Sequence, residues 1–263
     1  MTTTILAAMR RYAFGFVNAH DSDVCRQIMR DDYQLHMGSD DLVGRDDHYI
    51  PAVEFQMTQF PDLMFTVHDL LTDGTHAALL FSEHGTSARD PHARASWLGV
   101  SIYRYDGDRL AECWVEQDHY GRRRQIETGV TAPVPPVAVA AFSMDRNRPM
   151  AGADTVVREW LRDLDSWPPA DATLDRGPFG DDQLAIDLEP PTAEVVVSEG
   201  DRVAFHATLR GRYRGGLTGF DDHIGEQIQT YVGAYARIAD GKIVDVDAVT
   251  NRLVVQRQFR RSR

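Results

Sequence analysis

Residues able to move protons crowd one segment of the first half, Glu112-Cys113-Trp114-Val115-Glu116-Gln117-Asp118. The segment alternates as a strand does, with Trp114, Glu116 and Asp118 on one face and Cys113, Val115 and Gln117 on the other. A carboxylate held beside an indole and away from water has its pKa pushed toward neutrality, where it both accepts and donates a proton. Asp118 is therefore the first candidate for general acid/base work, with Trp114 and Glu116 beside it as substrate contacts. His84 ends the run 79–84 and is the second candidate, because imidazole titrates near pH ~6.5 and can relay a proton. His36, between Leu35 and Met37, faces away from that apolar pair and is expected to line a pocket. Trp97 and Tyr103 offer aromatic area with polar tips for a hydrophobic ligand.

Other chemistries find no such footing. Asp46-Asp47-His48 and Asp221-Asp222-His223 carry metal-ligand residue types, but adjacent residues at a helix start do not converge on one ion. No metal is expected. No glycine-rich phosphate loop follows a strand, and neither a nucleophile elbow nor a paired zinc-histidine motif occurs. No cofactor is expected either. The single lysine, Lys242, sits at a hairpin turn, which argues against Schiff-base chemistry.

The elements that must position these residues follow from hydrophobic spacing. Ile5, Met9, Tyr12, Phe16 and Val17 recur at helical steps. Asp21 or Ser22 caps a second helix through Val24, Ile28 and Met29, and Asp46 or Asp47 caps a third carrying Ile50, Val53, Phe55 and Met57. From Phe65 the period becomes two. Residues 65–71, 77–85, 97–105 and 110–118 read as strands, with Asp73-Gly74 and Gly107-Asp108 at turns between them. Helices followed by an antiparallel meander imply an α+β domain whose curved sheet wraps around the helices.

The second half repeats the end of that order. A helix capped by Asp154 precedes strands over 194–198, 202–213, 227–239 and 243–251. Residues 73–85 parallel 199–211, and 110–125 parallel 243–258, which sets Asn251 opposite Asp118. The chain therefore reads as a degenerate tandem duplication with a truncated second copy. Its parts are residues 1–127 with the candidate pocket, a Pro-rich connector over 128–150, and residues 151–263.

The chain has 263 residues, 40 of them acidic against 28 basic, and a formal charge of −12. That charge repels nucleic acid and anionic membrane, so neither is expected as a partner. No run of about 18 apolar residues is present to span a bilayer. Arg10 and Arg11 lie inside the first apolar pattern rather than ahead of it, unlike a secretory leader. Cys25 and Cys113 are the only cysteines and imply no disulfide framework. A cytoplasmic protein is expected.

The first half resembles the SnoaL-like polyketide cyclase branch of the nuclear transport factor 2-like superfamily. The residues that carry the resemblance are Asn18-x-His20-Asp21, Phe60-Pro61-Asp62-Leu63, His84-Gly85-Thr86 and the stretch from Arg109 to Asp118, with Gly121 and Gln125 after it. The resemblance implies two cone-shaped antiparallel sheets, each closed by helices around a hollow, that pack through their outer faces as an internal pseudo-dimer. A homo-oligomer is also open. In SnoaL-like cyclases the strand motif Glu-x-Trp-x-x-x-Asp ends in an acid/base aspartate, and Glu112-x-Trp114-x-x-x-Asp118 is similar to it.

The resemblance thus implies a cofactor-independent enzyme acting on a small hydrophobic carbonyl or polyketide-like substrate, by aldol-type cyclisation, isomerisation, dehydration or lyase chemistry. The alternative is a non-catalytic small-ligand carrier or accessory protein with the same cavity. Asn251 cannot exchange a proton at neutral pH, so the second half is expected to be a packing partner.

Overall fold

The computed structural model describes residues 4–133, 136–137, 141–143, 152–169, 173–174 and 182–261. Much of the expected connector lies outside the described residues. Among the described residues, no helix is long and apolar enough to cross a membrane.

The first helix, α1 (Ile5–Arg10), runs directly into a π turn, Arg11–Val17, so the stripe from Ile5 to Val17 stays on one buried face. Then come α2 (Asp23–Ile28), β1 (Met29–Met37), the short β2 (Asp40–Val43), and a π turn, Arg45–Tyr49, leading into α3 (Ile50–Gln59). The meander follows as β3 (Met64–Thr72), β4 (His76–Thr86), β5 (Arg94–Tyr105) and β6 (Leu110–Gln117). Their order in the sheet is β2-β1-β6-β5-β4-β3. The sheet is antiparallel except where β1 joins β6 in parallel.

Helix α4 (His119–Thr128) follows β6. The second half opens with α5 (Ala153–Asp163), whose apolar stripe, Val157 and Leu161, is buried. Short strands β7 (Ser166–Trp167), β8 (Thr173–Leu174) and β9 (Ala185–Leu188) precede the long ones, β10 (Thr192–Glu199), β11 (Arg202–Gly215), β12 (Gln227–Ala239) and β13 (Lys242–Thr250). The chain closes on α6 (Arg252–Arg261).

The two halves share strand register as well as strand order. Glu83 opposes Trp97 across β4 and β5, and Leu209 opposes Thr230 across β11 and β12. Gly99 opposes Gln117 and Ile102 opposes Trp114, just as Val232 opposes Thr250 and Tyr235 opposes Asp247. The helix after the last strand starts alike in both. Asp118 Oδ1 accepts the Gly121 amide at 2.8 Å, and Asn251 Oδ1 accepts the Val254 amide at 3.2 Å. These correspondences support the reading of a repeated unit.

Each sheet has a core on its concave side, and a third apolar layer joins them. In that layer Leu80, Leu98, Val100 and Ile102 of the first sheet meet Val197, Ala204, Tyr235 and Val249 of the second. The sheets approach closely enough that a Cβ on Gly233 would stand 3.0 Å from the Val100 Cβ. Both faces of the first sheet are therefore buried.

Candidate functional site

The concave side of the first sheet encloses a hollow of about 110 Å³. Its walls are the inward residues of five strands: Leu35 and Met37 of β1, Leu42 of β2, Phe81 and Glu83 of β4, Tyr103 of β5, and Cys113, Val115 and Gln117 of β6. Tyr12, Tyr49, Val53 and Gln56 close it from the helical side. Gly99 makes room for Phe81, because a Cβ there would overlap the Phe81 ring, 2.2 Å from its nearest atom.

Glu83 is the carboxyl of this hollow. It follows Leu79 and Phe81 on the inward face of β4, so the alternation that buries those two also buries it, to 6% exposure. Gln56 Nε2 donates to Glu83 Oε2 at 2.5 Å. Burial pushes the Glu83 pKa up, the Gln56 hydrogen bond and the Arg122 charge pull it back less strongly, and it settles at about 7. A carboxyl at that value populates both protonation states near neutral pH.

The other polar groups are fixed around it. Gln117 Oε1 accepts from Trp97 Nε1 at 2.9 Å and lies 3.1 Å from His119 Nε2. Burial holds the His119 pKa well below its usual range, so the ring is neutral and carries its proton on Nε2, facing an oxygen that can only accept. Tyr49 donates to the Tyr12 hydroxyl at 3.2 Å, and the Tyr103 ring lies 5.2 Å from that of Tyr12. Burial raises all three phenols well above their ordinary pKa, which keeps them protonated and able to donate. An apolar hollow with one proton acceptor and several hydroxyl donors suits proton removal beside a carbonyl whose oxygen is held by those donors.

Sequence reasoning placed the site on the opposite face of β6. Of the residues it singled out, Tyr103 lines the hollow, and Trp97 reaches the rim through Gln117. Asp118, His84, His36, Trp114 and Glu116 are not among the described residues that line it. Alternation correctly divides β6 into two faces, but it does not say which is concave. The second sheet also buries the convex face, so polar residues there are desolvated without facing a pocket.

Asp118 caps α4, and the same Oδ1 that accepts the Gly121 amide accepts from Arg252 Nη2 at 2.6 Å. It is a buried ion pair between the halves. Glu116, fully buried, accepts from the Gly38 amide at 2.9 Å and from Asn251 Nδ2 at 2.7 Å, and its Oε1 lies 3.1 Å from His206 Nε2. Burial alone would push His206 down, but Glu116 and Glu194 outweigh it and carry its pKa up to about 9. His36 stacks on Trp114 at 5.5 Å and lies between Asp41 and Glu112 at 2.7 and 3.0 Å. His84 Nε2 is 2.7 Å from Ser82 Oγ, which lies 2.7 Å from His68 Nε2 on the convex side.

The residues missed were Glu83, Gln56, Gln117 and the Tyr12–Tyr49 pair. One signal was available, since Glu83 shares its strand face with Leu79 and Phe81. Among the described residues, no group of three or more His, Cys, Asp or Glu side chains could hold a metal ion.

Residues 9–113 match the family model described as a SnoaL-like domain. No curated relative matches the sequence. Among solved structures, the chain is similar to IdmH, a candidate polyketide cyclase from Streptomyces antibioticus, at 19% identity and a TM-score of 0.42, covering 46% of this chain and 96% of that one. It is similar to a SnoaL-like polyketide cyclase from Agrobacterium tumefaciens at 18% identity and a TM-score of 0.38, covering 46% and 97%. An LEH-like epoxide hydrolase from M. tuberculosis aligns at 15% identity and a TM-score of 0.40, covering 49% and 92%. Each of those chains is covered nearly whole by less than half of this one. The match to the SnoaL-like family model is confined to residues 9–113, a stretch that includes Gln56, Glu83 and the tyrosines of the hollow.

Proposed function

We infer that the first half is a general acid/base catalyst on a small hydrophobic carbonyl compound, with Glu83 as the proton carrier. In this reading the Glu83 carboxylate takes a proton from the carbon beside the carbonyl, and a hydroxyl from Tyr12, Tyr49 or Tyr103 hydrogen-bonds the oxygen as charge builds on it. The resulting enolate either attacks a second carbonyl of the same molecule, closing a ring while Glu83 gives its proton to the new alkoxide, or, where it is conjugated as a dienolate, takes the proton back from Glu83 at the far carbon. Both outcomes return Glu83 to its starting state. Aldol-type cyclisation and isomerisation are thus the reactions it serves best.

The observation that carries this reading is a carboxyl buried in an otherwise apolar and phenolic hollow, with a pKa of about 7. The hollow, at about 110 Å³, is small beside the ~300–1,000 Å³ of drug-sized sites and suits a single ring. The names of similar proteins, polyketide cyclases among them, agree with carbonyl chemistry.

The test uses cyclohexanone in deuterated buffer, with exchange of its α-protons followed by NMR. The native protein is expected to accelerate exchange, and the rate should rise with pH and level off above about 7, because the carboxylate is the active form. Glu83→Gln is expected to lose the acceleration while keeping its affinity for cyclohexanone. Binding without exchange in the native protein would instead make the hollow a carrier's pocket.

A further inference from the structure

A groove of about 640 Å³ runs outside the hollow, between the end of α3, the 87–89 loop and α4, with Leu253 of α6 at its far side. Its charge is opposite to that of the chain. Arg89, Arg122 and Arg123 line it, whereas the whole protein carries −12. The one lining carboxylate, Glu127, already faces Arg123 and Arg124, each at 3.6 Å.

Arg122 stands apart from its neighbours. Its guanidinium lies 5.3 Å from the Phe60 ring and 5.0 Å from the Trp97 ring. Among the described residues, no carboxylate lies within ion-pair distance of it. Burial pulls its pKa down, as expected for a cation removed from water without a direct counter-charge. A planar guanidinium fixed against aromatic faces presents its fork of donors to whatever fills the groove, and that fork matches a carboxylate. Phe55, 65% exposed, and Leu253 supply apolar surface beside it.

We propose that this groove binds an organic carboxylate, with Arg122 as the anion's anchor, Arg89 and Arg123 as flanking charge, and Phe55 and Leu253 against the apolar body. The site is separate from the hollow but shares a wall with it. Trp97 packs against Arg122 on the groove side and donates to Gln117 at the hollow's rim. The Arg122 charge also holds down the Glu83 pKa, so a bound anion that screens it raises the pH at which Glu83 ionises.

The probe is benzoate, compared with its neutral counterpart benzamide, by calorimetry and by the NMR signal of the Trp97 indole N–H in the full chain. Benzoate is expected to bind at least tenfold more tightly than benzamide and to shift the Trp97 signal. Arg122→Gln should abolish that preference. Arg89→Gln, a change on an exposed loop that leaves the fold alone, should weaken benzoate two- to threefold. Equal affinity for the two probes, or an unmoved Trp97 signal at saturating benzoate, would overturn the proposal. So would a benzoate affinity that changes more than tenfold in Glu83→Gln and not in the arginine variants, because that places benzoate in the hollow. A groove that binds benzoate while the protein exchanges no cyclohexanone protons leaves this site standing without the catalytic reading.

Discussion

The two halves share a strand register but differ at the position where chemistry is proposed. In the first, Glu83 faces Trp97 across the ladder and projects into a hollow. In the second, the corresponding residue is Leu209, fully buried and facing Thr230. Each half has a tryptophan that hydrogen-bonds the matching position of its last strand. Trp97 Nε1 donates to Gln117, and Trp167 Nε1 donates to Thr250 at 3.1 Å. Trp167, however, comes from β7, at the edge of the second sheet, rather than from the ladder that carries Trp97. At matching register positions the first half thus carries a carboxyl that lines a hollow, and the second carries a leucine buried in its core.

The largest expected effect comes from erasing that difference. Glu83→Leu gives the first half the residue found in the second. It is expected to lower cyclohexanone exchange by about 10²–10⁴-fold, the usual contribution of a positioned general base. Retained exchange in a folded Glu83→Leu protein would move the proton carrier elsewhere.

The halves also meet through charge, and breaking that contact comes next. Arg252→Gln leaves the buried Asp118 carboxylate without its ion-pair partner. A loss of about 3–5 kcal/mol in unfolding free energy is expected from denaturant titration. Exchange per folded molecule should stay within about threefold of native, because Asp118 does not line the hollow. Exchange falling in step with the Glu83 variants would restore Asp118 to the chemistry.

A third effect has a definite sign. Glu83 binds its proton more tightly folded than unfolded, with a pKa of about 7 against an ordinary 4.5. The folded state therefore loses stability as pH rises from about 4.5 to 7. Glu83→Gln is expected to unfold at the same midpoint as native at pH 4 and to gain up to about 3 kcal/mol at pH 8. Equal midpoints at pH 8 would mean that Glu83 ionises without cost.

An effect of the same sign and similar size belongs to the interface histidine. His206, held charged by Glu116 and Glu194, stabilises the folded protein below its ordinary pKa of 6.5, and that contribution disappears as pH rises through about 9. The native thermal midpoint should fall over that interval by more than that of His206→Gln.

Much of the fold was legible because periodicity is a local property. β3 to β6 and β11 to β13 fall within a few residues of the runs expected from alternation. α4 and α6 were missed because neither has a continuous apolar stripe. The segments Gly121-Arg122-Arg123-Arg124 and Arg260-Arg261 interrupt the apolar spacing, although Asp118 and Asn251 cap the helices. The site was legible only by residue type. Asp118, the acid expected at the end of β6, is buried, but the acid that lines the hollow is Glu83 of β4. Which face of a sheet is concave depends on how distant strands curl, and here the convex face is hidden as well. Glu116 and Asp118 are therefore as dry as Glu83 while serving the contact between the halves.

The protonation of Glu83 itself can be read directly. An infrared difference titration of the carboxyl stretch, native minus Glu83→Gln, isolates this one group between pH 3 and 9. A midpoint near 7 is expected from its burial and its contacts with Gln56 and Arg122. A midpoint near 4.5, the value of a carboxyl in open water, would mean that the hollow does not shield it, and proton transfer by this residue would have no physical basis.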